Sequence, residues 1–402
     1  MKILCLIQRF FPVIGGSEFL TKTYMDHLSK KHKVTVYTTN AFDIDAFWDK
    51  NAKKIKNDNS VNYEIKRFDF LTPSQIVHDD NLENFPIPSN HPGPFSPKLW
   101  TELVLKKIDY DLIYVTSFPY DHILPAYVAA RKWNIPIIVM PLIHQEFPEL
   151  YFNAIRLTIL NNSNGIFVIS DSEKNILKKY GIDENNISII SPTLPEQPDF
   201  HKDPQKFRNN FSIPSDSKII LFVGSKSFSK GIIHLMESMN IVWKNHENVV
   251  LLLIGPDSEE FIDYFSNLPK SHKSKIINLG TVSDETKTNA YFACDIFVMP
   301  SKSESFGLVY LEAWLQRKPV IACDVSPVSD IVENKKNGLL VDFGNVTQIG
   351  NAILYLIDNP KICHQYGESG KTKALEYNSM KNLDYFEEKC ISIVNDFKNK
   401  TH

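Results

Sequence analysis

Short apolar runs rich in β-branched residues recur along the first half of the chain. They are ILCLI (3–7), VTVY (34–37), YEIKRF (63–68), DLIYV (111–115), PIIVM (136–140), GIFVIS (165–170) and ISII (187–190). The apolar positions are mostly continuous rather than alternating, the pattern of strands covered on both faces of a parallel sheet. Helical spacing lies between them, as at Phe19, Leu20, Tyr24 and Leu28, and at Ile123, Tyr127 and Ala130. Alternating strands and helices predict an α/β fold. Pro192, Pro195, Pro198, Pro204 and Pro214 then crowd an aperiodic polar stretch, which reads as a domain linker near 192–217. The pattern restarts with KIILFVG (218–224), NVVLLLIG (248–255), KIINLG (275–280), DIFVMP (295–300), PVIAC (319–323) and NGLLV (337–341). Two doubly wound sheets follow, with domains expected at 1–195 and 196–375. A last amphipathic stretch near 380–398 carries Leu383, Phe386, Ile391, Ile393 and Val394 on one face. It predicts a C-terminal helix, 376–402 in all, whose apolar side must be covered.

Composition narrows the classes. The chain has 402 residues, 43% of them hydrophobic, enough for two cores. Net charge is −3 and neither half is basic, which argues against a nucleic-acid surface and leaves room only for a small lipid-facing patch. The five cysteines, Cys5, Cys294, Cys323, Cys363 and Cys390, include no CxxC pair, so a disulfide framework or cysteine zinc site is not expected. Reduced thiols fit the cytoplasm. No apolar run reaches the ~18–20 residues of a membrane span. Gln8 and Arg9 interrupt the N-terminal apolar run, which reads as a first strand rather than a signal peptide. Residues 41–97 hold one clear strand, a lysine-rich part (50–66) and a proline-rich part (85–97), and read equally as a functional loop or a surface excursion.

In parallel sheets ligands bind at the carboxyl ends of the strands. Gly15 and Gly16 follow strand one and open a helix, where backbone can approach a ligand closely, although a tight turn explains them as well. Neither GxGxxG nor GxxxxGK[ST] is present, against a dinucleotide-dependent dehydrogenase and a P-loop NTPase. Lys230 and Gly231 begin the first helix of the second domain, where a lysine can neutralise phosphate or simply be solvated. The segment PSKSESFGLVYLEAW (300–314) is the most informative. Ser305 is the expected N-cap, leaving the N–H groups of Phe306, Gly307 and Leu308 for an anionic diphosphate. Glu304 and Glu312 are eight residues apart, about 80° on a helix projection, so both could accept bonds from sugar hydroxyls. Two unrelated glutamates near a helix start would also look like this.

At this segment the chain resembles the retaining GT-B glycosyltransferases of the family 4 type. The E-x7-E pattern is Glu304-SFGLVYL-Glu312, preceded by DIFVMPS. PVIGGSE (12–18), VMPLIH (139–144), FVISDSEKNIL (167–177), FVGSKSFSKG (222–231), NLGTVSDE (278–285) and NGLLV (337–341) match in order over nearly the whole chain. The phosphate loop departs from the family pattern: after Gly224 the usual arginine is Ser225, with Lys226 next. The usual Asn–Gly turn before the linker is Ser191-Pro192-Thr193.

The resemblance implies two Rossmann-like domains facing across a cleft, with the C-terminal helix crossing back to the first. It implies transfer from a nucleotide-sugar donor to a glycan or lipid-linked acceptor, without metal or further cofactor; the expected location is the cytoplasm, with the inner face of the membrane as an alternative. His144 and Glu304 take the catalytic roles it implies. Gly15, Gly16, Gly224, Lys226, Lys230, Thr281, Val282, Phe306, Gly307, Leu308 and Glu312 bind the donor, with Thr281 and Val282 at the base and Glu312 on the ribose. The residues alone leave His144 open to a structural role. A nucleotide-sugar epimerase, a non-catalytic partner subunit and a two-domain binding protein are the alternatives.

Overall fold

The structure is a computed structural model that describes all residues except 14, 43–44, 48–53, 56–60, 73–92, 94, 145–147, 195–202, 378–379 and 402. The chain divides into two compact units, Met1–Thr193 with Met380–His402, and Leu194–Ser379. Most of the lysine-rich and proline-rich parts of the 41–97 segment lie outside the described residues.

The first unit is a seven-stranded parallel sheet of β1 (Lys2–Leu6), β2 (Lys33–Thr39), β3 (Glu64–Phe68), β4 (Leu112–Thr116), β5 (Ile137–Met140), β6 (Gly165–Val168) and β7 (Ile187–Ile189). Their order is β3-β2-β1-β4-β5-β6-β7. The second unit holds β8 (Lys218–Val223), β9 (Val249–Ile254), β10 (Ile276–Asn278), β11 (Ile296–Met299), β12 (Val320–Cys323) and β13 (Gly338–Val341), in the order β10-β9-β8-β11-β12-β13. Every apolar run singled out above is a strand, because both faces of each sheet are covered and continuous hydrophobicity is what such strands require. In each sheet the winding reverses once, between β1 and β4 and between β8 and β11, and those switch points are where such sheets bind ligands.

The helices used below are α1 (Gly16–Leu28), α2 (Asp171–Lys179), α3 (Pro204–Asn210), α4 (Ile232–Asn245), α5 (Asp284–Ala293), α6 (Leu308–Leu315) and α7 (Met380–Thr401). The described part of the proline-rich linker contains a helix. Pro204 takes the first helical position of α3, where its missing N–H costs nothing, and the Asp203 carboxylate accepts the Lys206 N–H at 2.8 Å. Phe207 is buried, so this stretch, expected to be aperiodic, is a helix of the second unit.

The C-terminal helix α7 belongs to the first unit. Phe386 is fully buried, stacks on Tyr24 of α1 at 4.2 Å and meets Tyr114 and Phe167 edge-on. Leu383 and Val394 are buried as the amphipathic pattern requires. Ile391 is 37% exposed instead, and the neighbouring Cys390 takes the inward position. Glu387, buried beside Phe386, accepts from Lys31 at 2.9 Å and lies 3.1 Å from both His27 and His32. Among the described residues no helix is long and apolar enough to cross a membrane.

Candidate active site

The loops after β8, β9 and β10 are built on touching backbones. The Gly255 N–H donates to the Gly280 carbonyl at 2.8 Å, and the Gly224 N–H donates to Ile254 at 3.0 Å. Gly255 has φ +124°, and a Cβ there would sit 2.0 Å from the Gly224 oxygen, so only glycine fits. Lys226 fastens these loops together. It is fully buried, and its Nζ donates to the Gly255 carbonyl and, at 2.6 Å, to Asp257. Burial lowers its pKa, against the pull of Asp257. Asn278 in turn donates to Asp257 at 3.2 Å, tying in the segment that carries Thr281 and Val282. Lys226 therefore presents no open face to a ligand in this structure. Thr281 is exposed and Val282 half-buried.

Across the switch point the loops after β8 and β11 meet. Gly231 has φ +74°, and a Cβ on it would lie 2.1 Å from the Pro300 oxygen. The Lys302 N–H donates to Ser229 at 2.8 Å. The Lys230 ammonium donates to Glu304 Oε1 at 2.7 Å, and Ser301 Oγ donates to the same oxygen at 2.9 Å. Lys230 and Glu304 thus share one spot at the reversal of the sheet, each still partly open, with side chains 26% and 10% exposed.

The helix after this loop starts later than the serine pattern predicts. Gly307, not Ser305, is the cap residue of α6, in a left-handed conformation with φ +90°, and no side chain caps the helix. The Tyr310 ring lies over Gly307, where a Cβ would be 2.6 Å from it, and its hydroxyl donates to Met299 at 2.6 Å. A serine cap would need an extended backbone at 305 and a helix beginning at once; the packing of Tyr310 on Gly307 starts it at Leu308 instead. Phe306 buries its ring against Tyr377, leaving backbone rather than side chain at the helix start.

Glu304 precedes α6 and Glu312 lies within it, so the two carboxylates are not related by one helix. They take separate lysines: Glu312 Oε1 accepts from Lys287 of α5 at 2.9 Å. Its Oε2 is buried towards the Tyr291 hydroxyl. Tyr291, whose hydroxyl is driven well above its ordinary pKa by burial and by Glu312, lies beside it. A cavity of about 10 Å³, lined by Lys287, Tyr291, Glu312 and Gln316 among others, adjoins this carboxylate.

In the first unit Gly15 caps α1 without a side-chain hydrogen bond and Gly16 is its first residue. Glu18 is buried and pairs with Arg9 at 2.8 Å. The patterns above gave no site role to this pair, nor to the buried Gln8, Thr116 and Ser117 beside the β1–β4 switch point. The signal was the polar Gln8–Arg9 step directly after an apolar strand. His144 lies in the loop after β5, half-buried, following Leu142 at φ +56°. Its backbone and the Tyr151 hydroxyl are hydrogen-bonded. Glu173 of α2 accepts from Ile143 N–H at 2.8 Å and from Ile169 N–H at 2.9 Å.

Comparison with known proteins matches both units. A family described as Glycosyltransferase Family 4 matches residues 14–195, and one described as Glycosyl transferases group 1 matches residues 203–373. An uncharacterized glycosyltransferase of Methanocaldococcus jannaschii is 34% identical over 137 residues, 34% of each chain. The capsular polysaccharide biosynthesis glycosyltransferase CapM of Staphylococcus aureus is 29% identical over 214 residues, 52% of this chain and 56% of that one. The chain thus spans between a third and somewhat over half the length of these curated relatives. HepE of Anabaena, solved in complex with UDP and glucose, shares the fold, with TM-score 0.72, 18% identity, and coverage of 98% of this chain and 99% of that one.

Proposed function

The chain belongs to the group 1, family 4 glycosyltransferases, and from that premise we propose that it moves a sugar from a nucleoside-diphosphate donor to a hydroxyl of a glycan or lipid-linked acceptor. The anomeric configuration is retained, and neither a metal nor a further cofactor takes part. The observation that carries this reading is the Lys230–Glu304 contact of 2.7 Å at the β8–β11 switch point, held by the close approach of Gly231 to Pro300. A cation and a carboxylate at one spot suit the two ends of a sugar diphosphate. The fold shared with HepE, which binds UDP, supports a nucleotide in such a site.

In the reaction, the bond between the anomeric carbon and the diphosphate oxygen breaks as the acceptor oxygen approaches from the same face. The acceptor proton passes to the departing phosphate oxygen. Charge grows on the diphosphate, and Lys230 with the uncapped N–H groups opening α6 offsets it, the task a metal performs elsewhere. Glu304 accepts bonds from donor-sugar hydroxyls, and Gly224 lets the phosphates approach backbone. The Glu312 carboxylate takes a ribose hydroxyl, and Thr281 and Val282 border the base. His144 orients the acceptor and the transferring sugar, and the backbone at Gly15–Gly16 approaches the donor diphosphate.

The test is incubation with a panel of nucleotide sugars and acceptors in EDTA, following free nucleoside diphosphate and the anomeric configuration of product by NMR. Release with retention is expected. A changed sugar without release would make the chain an epimerase, and inverted product or activity restored only by Mg²⁺ or Mn²⁺ would overturn the mechanism.

A further inference from the structure

Residues 170–173 read Ser-Asp-Ser-Glu, the arrangement in which a helix-capping serine and a glutamate three residues on satisfy each other's backbone. Half of this is present: Ser170 Oγ accepts the Glu173 N–H at 3.1 Å. The other half is not confined to the helix. The Glu173 carboxylate accepts the Ile169 N–H at the end of β6 at 2.9 Å, and with its other oxygen reaches the Ile143 N–H beyond β5 at 2.8 Å. The Leu142 N–H bonds to it as well. The side chain is only 3% exposed, and among the described residues no cation faces it; the titratable groups close enough to feel its charge are Tyr24 of α1 and Tyr151.

A carboxylate is costly to bury, and a helix cap alone does not require it. What these bonds hold is an unfavourable turn. Leu142 is a bulky residue at φ +56°, a strained conformation that persists only where neighbours impose it. His144 is two residues further on. We infer that Glu173 is a positioning residue for His144: its carboxylate bridges β5 and β6 and fixes the left-handed turn from which the histidine projects. The inference rests on the role proposed above for His144 and adds the group that sets its geometry.

The test compares kcat, nucleoside-diphosphate affinity and melting temperature of the full chain in Glu173→Gln, Glu173→Asp, His144→Ala and the double variant His144→Ala/Glu173→Gln. Glutamine offers one acceptor and turns an amide donor towards backbone N–H groups. Aspartate keeps the charge but is too short to reach both strands. Each should lower kcat by roughly 10- to 100-fold, the scale of a catalytic group displaced by about 1 Å. Nucleotide affinity should stay within about twofold of wild type. In the His144→Ala background, Glu173→Gln should cost less than about twofold more, because coupled residues are not additive. Wild-type kcat in Glu173→Gln or Glu173→Asp overturns the inference, as does a double variant that loses the product of the two single losses. Full activity in His144→Ala would instead sink the role of His144 itself.

Discussion

A methyl group at residue 231 would have to occupy space 2.1 Å from the Pro300 carbonyl oxygen, on a backbone with φ +74°. Neither partner is a flexible side chain, so Gly231→Ala must push the β8 and β11 loops apart. We expect a loss of about 1–3 kcal/mol in stability, measured by urea unfolding, together with weaker nucleoside-diphosphate binding because Lys230 and Glu304 separate. Unchanged affinity in a folded Gly231→Ala protein would detach the loop contact from the site. Glu173 makes a prediction of a different kind. Burial pushes its carboxyl up from 4.5 to about 7, against the pull of the backbone N–H groups of Ile169, Ile143 and Leu142. The folded value lies above the unfolded one, so ionisation costs stability. That cost is absent below about pH 4.5, builds between pH 4.5 and 7, and is complete above 7. The stability of wild type relative to Glu173→Gln should therefore fall by on the order of 2–4 kcal/mol as pH rises through that window. A flat difference across it would contradict the buried ionised carboxylate. At this scale the sequence was partly legible. Lys230, Glu304 and Gly307 could be named from spacing, but the enclosure of Lys226 by Gly255 and Asp257 depends on a loop about thirty residues away in sequence. The second duty of Glu173 likewise depends on a β5 loop that its own helix does not reveal.

Among the elements, α7 offers the clearest test. Phe386 is fully buried against Tyr24, Tyr114 and Phe167. Phe386→Ala should cost about 3–5 kcal/mol and speed amide hydrogen exchange along α7 before the rest of the first unit. Glu387 adds a pH dependence. Burial alone would raise its pKa, but Lys31 and His32 hold it below the ordinary 4.5. This contribution is present above pH 4.5 and is lost as pH falls through the depressed value. Protection factors in α7, taken relative to intrinsic exchange at each pH, should fall on acidification, and Glu387→Gln should abolish that fall. The strands were legible from the sequence because continuous apolar runs report burial on both faces, which no distant residue alters. The helix ends were less so. Ser305 is a fitting cap by residue type, yet Tyr310 packing on Gly307 delays the start of α6. Pro204 looked like a breaker and is the first residue of α3. Ile391 fits an apolar stripe drawn by spacing, yet Cys390 faces the core.

At the scale of the whole chain, each unit is a doubly wound sheet with its own switch point, and the two sets of residues singled out above divide between them. Gly15, Gly16 and His144 belong to the first unit, and the loops around Lys230, Glu304 and Glu312 to the second. The nucleotide is therefore assigned mainly to the second unit, and His144→Ala should leave its affinity unchanged. His144→Ala should lower turnover by roughly 10²-fold or more while stability stays within about 1 kcal/mol of wild type. The most direct check of the central claim is calorimetric titration of nucleoside diphosphates into the metal-free protein, repeated with Glu312→Gln and Lys230→Ala. One diphosphate should bind wild type in EDTA, and each substitution should weaken it by on the order of 1–3 kcal/mol, with His144→Ala indistinguishable from wild type. Failure of every diphosphate to bind, or binding indifferent to both Glu312 and Lys230, would contradict the account.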